Sequence, residues 1–168
     1  MKKSSMGFVA AGALALSCVA ACGKSDKAAA PDAKAPVHEH HAPHGGSLVE
    51  LGEGEFAHLE LLLDPAQGAL TGYSLDGEAE NPIRLKQDKI VLLLRGVKGP
   101  GEVTLALAAR PNSLTGETVG DTAEFAVTSA LLKGAASFTG RILTITTKGQ
   151  KFDNVEFEFP AKPEEAKK

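Results

Sequence analysis

From residue 47 to residue 159, apolar and polar side chains alternate in short runs. This period of two predicts strands rather than helices. "SLVEL" (47–51) and "FAHLELLLD" (56–64) flank "GEGE", a hairpin signal with two glycines. In the second run Ala57, Leu59, Leu61 and Leu63 alternate with Phe56, His58, Glu60 and Leu62, so the first set is expected to face a core. "DPAQG" (64–68) reads as a turn, with Pro65 fixing one backbone angle and Gly68 relaxing another. "ALTGYSLDG" (69–77) reads as a third strand with its exit turn. "KIVLLLRG" (89–96) is apolar almost throughout, as expected of a strand buried on both faces. "EVTLALAAR" alternates through Val103, Leu105, Leu107 and Ala109, and "TAEFAVTS" through Ala123, Phe125 and Val127. "SFTGRILTITT", a "KGQK" turn and "KFDNVEFEF" form a late hairpin, with Val155, Phe157 and Phe159 inward and Glu156 and Glu158 outward.

The segment with helical character is "SALLKG" (129–134), with a serine cap, a leucine pair and a closing glycine. At about one turn it is a connector rather than a helix of its own. The longest loop is "RPNSLTGETVGD" (110–121), a candidate functional edge. About eight short strands at regular spacing predict an all-β fold, an immunoglobulin-like β-sandwich over 44–160, with a small closed barrel as the alternative. The chain has no Trp, so the likeness to immunoglobulin domains is one of architecture alone. No internal repeat is present.

The flanks have a different composition. Lys2 and Lys3 precede the uncharged stretch "MGFVAAGALALS", too short to span a bilayer comfortably as a permanent helix. It leads to "VAAC" (19–22), which resembles a bacterial lipobox. That resemblance implies a signal peptide over 1–21, cleavage before Cys22 and lipid on its sulfur, hence a membrane anchor. Cys18 fits less well, because Ala15 stands where the lipobox prefers a larger aliphatic residue. Gly23, rather than Asp, follows the lipidated position, which resembles lipoproteins sorted to the outer membrane and facing the periplasm. Residues 22–43, rich in Ala, Pro, Lys and Asp, are expected to be a flexible tether, and 161–168 a disordered tail. The body then carries no thiol for disulfides or redox work. Loss of Lys2 and Lys3 takes the formal charge from −3 to −5. With no basic stripe to meet phosphates, nucleic acid is not an expected partner.

All five histidines, His38, His40, His41, His44 and His58, lie within one short window, "VHEHHAPHGGSLVELGEGEFAHLEL". Neutral imidazole suits Cu(II), Zn(II) and Ni(II), and closely spaced histidines in a flexible segment close on one ion without strain. Gly45 and Gly46 follow His44 at the point where the tether meets the first strand. If Glu50 pairs with His58, then Glu50, His58 and Glu60 share a face. Six strand residues separate His44 from Glu50, roughly 20 Å at the strand rise. A joint His44–His58 site therefore needs the Gly-Gly pair to reverse the chain, or a second molecule. The expected metal ligands are His38, His40, His41, His44, His58 and Glu60.

Residues 43–83, "PHGGSLVELGEGEFAHLELLLDPAQGALTGYSLDGEAENPI", also carry a resemblance. The pattern is His-Gly-Gly, a strand ending Glu-Leu-Gly, Phe56 two residues before His58, then Asp-Pro and Leu-Asp-Gly turns. It is similar to a family of small, uncharacterised bacterial envelope proteins, many of them lipoproteins. It also resembles the histidine-containing head of some heavy-metal efflux adaptor subunits. "FTGRILTITTKGQKFDNVEF" matches the closing hairpin more loosely. The resemblance implies a periplasmic β-domain linked to metal. Some relatives end in a second His-rich stretch, which "PAKPEEAKK" lacks.

Enzymatic classes fare poorly. There is no G-x-S-x-G elbow, no nucleophilic Cys in the body and no phosphate-cradling loop, since "GVKGPGE" lies between strands and lacks the Lys-Ser/Thr pair. The sequence therefore predicts a non-enzymatic, lipid-anchored periplasmic protein that binds copper- or zinc-type ions and no organic cofactor. It would act as a metal buffer or as an accessory to metal efflux, partnered by the membrane and by an efflux or other envelope protein. The alternative is a structural or interaction module with incidental histidines.

Overall fold

The computed structural model describes residues 40–99 and 101–162. The expected signal peptide (1–21), Cys22, His38 and the end of the tail, 163–168, lie outside the described residues. Eight strands follow one another: β1 (Ser47–Leu51), β2 (Ala57–Asp64), β3 (Ala69–Leu75), β4 (Lys89–Arg95), β5 (Glu102–Ala109), β6 (Glu124–Thr128), β7 (Phe138–Thr147) and β8 (Gln150–Phe159). A single 3-10 turn, Ala130–Leu132, links β6 to β7. Ser129 caps it through its hydroxyl, which accepts from Leu131 N, and Leu132 is fully buried.

The strands make one antiparallel sheet in the order β1-β2-β3-β6-β5-β4-β7-β8. It curls until β1 and β8 lie beside each other without pairing, so the sheet is a nearly closed barrel. The all-β class and the strand number match the sequence reading. The two-sheet sandwich does not, because every neighbour in the order is joined by ladder bonds. Glycines on the concave face fit this curl. A methyl at Gly140 would stand 2.5 Å from Phe157 Cζ and 2.7 Å from Leu94 Cδ2. One at Gly72 would stand 3.2 Å from Leu107 Cδ2. Glycine inside a strand marks the places where a tight interior leaves no room for a side chain.

Of the residues that alternation placed inward, Leu59, Leu61, Leu107 and Phe125 are fully buried, whereas Leu63, Val103, Val127, Val155 and Phe159 are only partly buried against the core. Leu59, Leu61, Leu70, Ile90, Leu92, Leu94, Leu107, Phe125, Ile142 and Ile145 are wholly buried. β4 departs from expectation: Ile90, Leu92 and Leu94 are buried, but Val91 and Leu93 are only half-buried on the convex side. A single curled sheet has one dry face, so an apolar run is not enclosed twice. The antiparallel pairing gathers the loops 52–56, 76–88 and 110–123 and the turn at Lys148 and Gly149 at one end of the barrel.

Candidate metal centre

The convex side of β2 is covered by residues 40–46, of which 40–43 were expected in the tether and 44–46 in the domain. From His40 the chain runs across β2, then reverses before β1. Gly45 N donates to Ala42 O (3.0 Å), and Gly45 takes a φ of 74°, the left-handed region that glycine adopts without strain. Gly46 presses against the sheet, where a Cβ would lie 2.5 Å from Leu61 O and 2.9 Å from Glu60 Cγ. The Gly-Gly pair thus reverses the chain, though the histidine it leaves beside His58 is His40 and not His44. Residues 40–46 form a strap, and under it His58 and Glu60 are only 1% and 0% exposed although they point away from the core.

Glu60 is the clasp of the strap. Its Oε1 accepts from His44 N (2.9 Å) and Gly46 N (2.8 Å), and Oε2 meets His44 Nδ1 at 2.7 Å. A carboxylate accepts, so Nδ1 of His44 is the donor of this bond. The ring lies flat on Tyr73, with centroids 3.8 Å apart and planes 14° from parallel. Tyr73 faces Glu60 across the β2–β3 ladder. Burial pushes its hydroxyl pKa up, and the nearby Glu124 and Glu60 carboxylates add to that.

His58 meets His40 rather than His44. Their ring centroids are 5.0 Å apart, tilted by 47°. His58 Nδ1 lies 3.1 Å from Asp76 O, and His40 Nδ1 lies 3.2 Å from Glu78 O. Both carbonyls belong to one turn, which the Asp76 carboxylate organises. It accepts from Glu80 N (2.9 Å), Asn81 N (3.2 Å) and Asn81 Nδ2 (2.7 Å). Those bonds, the Asn81 amide first, hold the Asp76 pKa below its usual range. Gly77 lets the turn pack against the β1–β2 loop, since a methyl there would collide with Glu55 O.

His40 Nε2 faces Glu55, 3.1 Å from Oε1. Nε2 is buried, and this close contact with Glu55 stands without a well-formed hydrogen bond. The Glu55 carboxylate raises the His40 pKa above 6.5, against an opposing effect of burial, and Glu78 adds to the rise.

The candidate ligands named from the sequence therefore divide. His40 and His58 sit side by side, and His44 is clasped by Glu60 and Tyr73. His41 is exposed, and His38 lies outside the described residues. Glu50 does pair with His58 in the β1–β2 register, but it is exposed. Glu55, Asp76 and Glu78 were not singled out. Glu55 reaches His40 only because the hairpin turn carries it there with a φ of 57°, and no spacing rule in the sequence marks that. Among the described residues, no three His, Cys, Asp or Glu side chains stand close enough together to hold an ion as they are. Nor is any described helix long and apolar enough to cross a membrane. No protein-family model, curated protein or solved structure matches the chain.

Proposed function

We propose that this is a metal-binding β-barrel protein of the bacterial cell envelope, without enzymatic activity. In particular, it is a lipid-anchored periplasmic protein, held to the outer membrane through Cys22, that takes up copper- or zinc-type divalent ions as a buffer or as an accessory to efflux. One observation carries the reading: His40, from the histidine tract, is docked beside His58 of the sheet, and both rings hold Nδ1 against backbone carbonyls. A histidine oriented through one nitrogen presents the other to a metal. The Glu60–His44 contact prepares a third imidazole in the same manner, with a carboxylate behind it. In this reading Glu60 orients His44, while His38 and His41 supply further donors.

Calorimetric titration of the full-length chain in detergent with Cu(II) and with Zn(II) tests the proposal. Saturable binding is expected, tighter than that of an unstructured peptide with the same histidine tract, and lost when all five histidines become alanine. Binding no tighter than the peptide's refutes it.

A second reading, an interaction module, draws on the 110–121 loop. Leu114 is 95% exposed and Val119 61% exposed there. The loop is nonetheless braced, by bridges Asn112–Glu117 and Thr118–Asp121 and by Arg84 and Lys86 on Asp121. Capture of an envelope partner by crosslinking, retained by the five-alanine variant and lost in Leu114→Asp, would favour this reading over metal binding.

A further inference from the structure

We propose that one divalent ion is held by His40 Nε2, His58 Nε2 and the carboxylate of Glu55, pinning the strap to the barrel. This rests on the metal-binding reading above and names the centre within it. The two rings place Nδ1 against carbonyls two residues apart on the same turn, Asp76 and Glu78. Each Nε2, on the other side of its ring, therefore turns away from that turn, and for His40 that direction leads to Glu55.

The spacing suits a tetrahedral ion. Zinc bonds of about 2.1 Å to nitrogen and oxygen put neighbouring donors about 3.4 Å apart. His40 Nε2 and Glu55 Oε1 stand 3.1 Å apart. They already stand close to one edge of such a tetrahedron, in a direct contact that the ion would replace. His58 is the second imidazole, in contact with the first. Its ring must rotate to bring Nε2 to that edge, and the rotation gives up the Nδ1 contact with Asp76 O. The fourth position is left to water. His44 is not part of this centre, because Glu60 and Tyr73 fix its ring elsewhere on the strap.

The site has one half on the strap and the other on the sheet and its hairpin loop. An ion there closes the strap over β2, whereas an ion held by the tract alone leaves the strap as it was. The three donors come from chain positions 40, 55 and 58, brought together by the Gly45–Gly46 reversal.

The test uses zinc chloride as the probe on the full-length chain, with nitrogen NMR of the histidine rings alongside calorimetry. One equivalent should shift the ring nitrogens of His40 and His58 and leave those of His44 in place. Glu55→Gln keeps the size of a half-exposed side chain and should leave the melting temperature unchanged. It should weaken the tight binding step by about tenfold or more, since even an outer partner of a ligand is worth that much. Strap amides should exchange more slowly with zinc in the wild type than in Glu55→Gln. Wild-type affinity in Glu55→Gln, or unmoved His40 and His58 rings while zinc still binds, overturns this centre and leaves metal binding by the tract. Absence of saturable binding overturns both.

Discussion

Glu60→Gln isolates the clasp. The carboxylate is wholly buried and receives two backbone N–H groups and one imidazole. Glutamine has the same shape and still offers one oxygen to His44 N and Gly46 N, but without charge. Hydrogen bonds to a charged group contribute about 1.5–3 kcal/mol each, and neutral ones about 0.5–1.5. The two N–H bonds therefore lose about 2 kcal/mol together. The amide also turns a donor toward His44 Nδ1 and forces the other tautomer on the ring. The strap can lift from the barrel without unfolding it, so the loss falls on strap opening. Two kcal/mol is about a thirtyfold rise in the opening constant. Native-state hydrogen exchange reads this directly. The amides of His44 and Gly46 should exchange about thirtyfold faster, while core-strand amides such as Leu92 and Phe125 keep their protection. Unchanged exchange at 44 and 46 would show that Glu60 does not hold the strap. An equal loss across all strands would show that the strap is part of the global fold and not a separable cover.

Two further predictions concern the barrel and its braced loop. Phe125→Ala empties a fully buried site and should cost about 3–5 kcal/mol in urea denaturation, whereas Leu114→Ala, at a side chain 95% exposed, should change stability by less than about 0.5 kcal/mol; similar values for the two would refute the assigned inner face. Glu117 accepts from Thr115 Oγ1 (2.6 Å) and Ala123 N (2.9 Å), and these bonds, the threonine first, hold its pKa below the ordinary 4.5. Its contribution to the loop is therefore complete above 4.5 and lost as pH falls through the lowered value; the Ala123 amide resonance should move in that acid window and stay still between pH 5 and 7, and movement only near 6.5 would assign it to another group.

Strand positions and their inner faces were legible because a period of two is local information. Ala57, Leu59 and Leu61 alternate visibly, and they are buried as the alternation implies. The Ser129 cap was legible for the same reason. The number of sheets was not, since the same alternation serves a sandwich and a barrel. What separates them is where Gly72 and Gly140 face across the interior, a relation among residues distant in the chain. The histidine window marked residues of which His40 and His58 come together on one patch of surface. It could not show that His58 and Glu60 would be buried, because the cover comes from the strap, and it could not pair His40 with His58. The reversal at Gly45 and Gly46 was recognised as a requirement, and it is present. The contribution of Glu55 depended on a turn conformation that carries no sequence mark.

The strap lies outside the barrel ladder and leads directly into β1. Any load applied through the residues that precede His40 meets the His40 contacts first, then the Glu60 clasp, and only then the β1–β2 pairing. Such a load peels the contacts in sequence instead of shearing them together. The order of these contacts along the chain makes the strap the part to open first, ahead of any strand of the barrel.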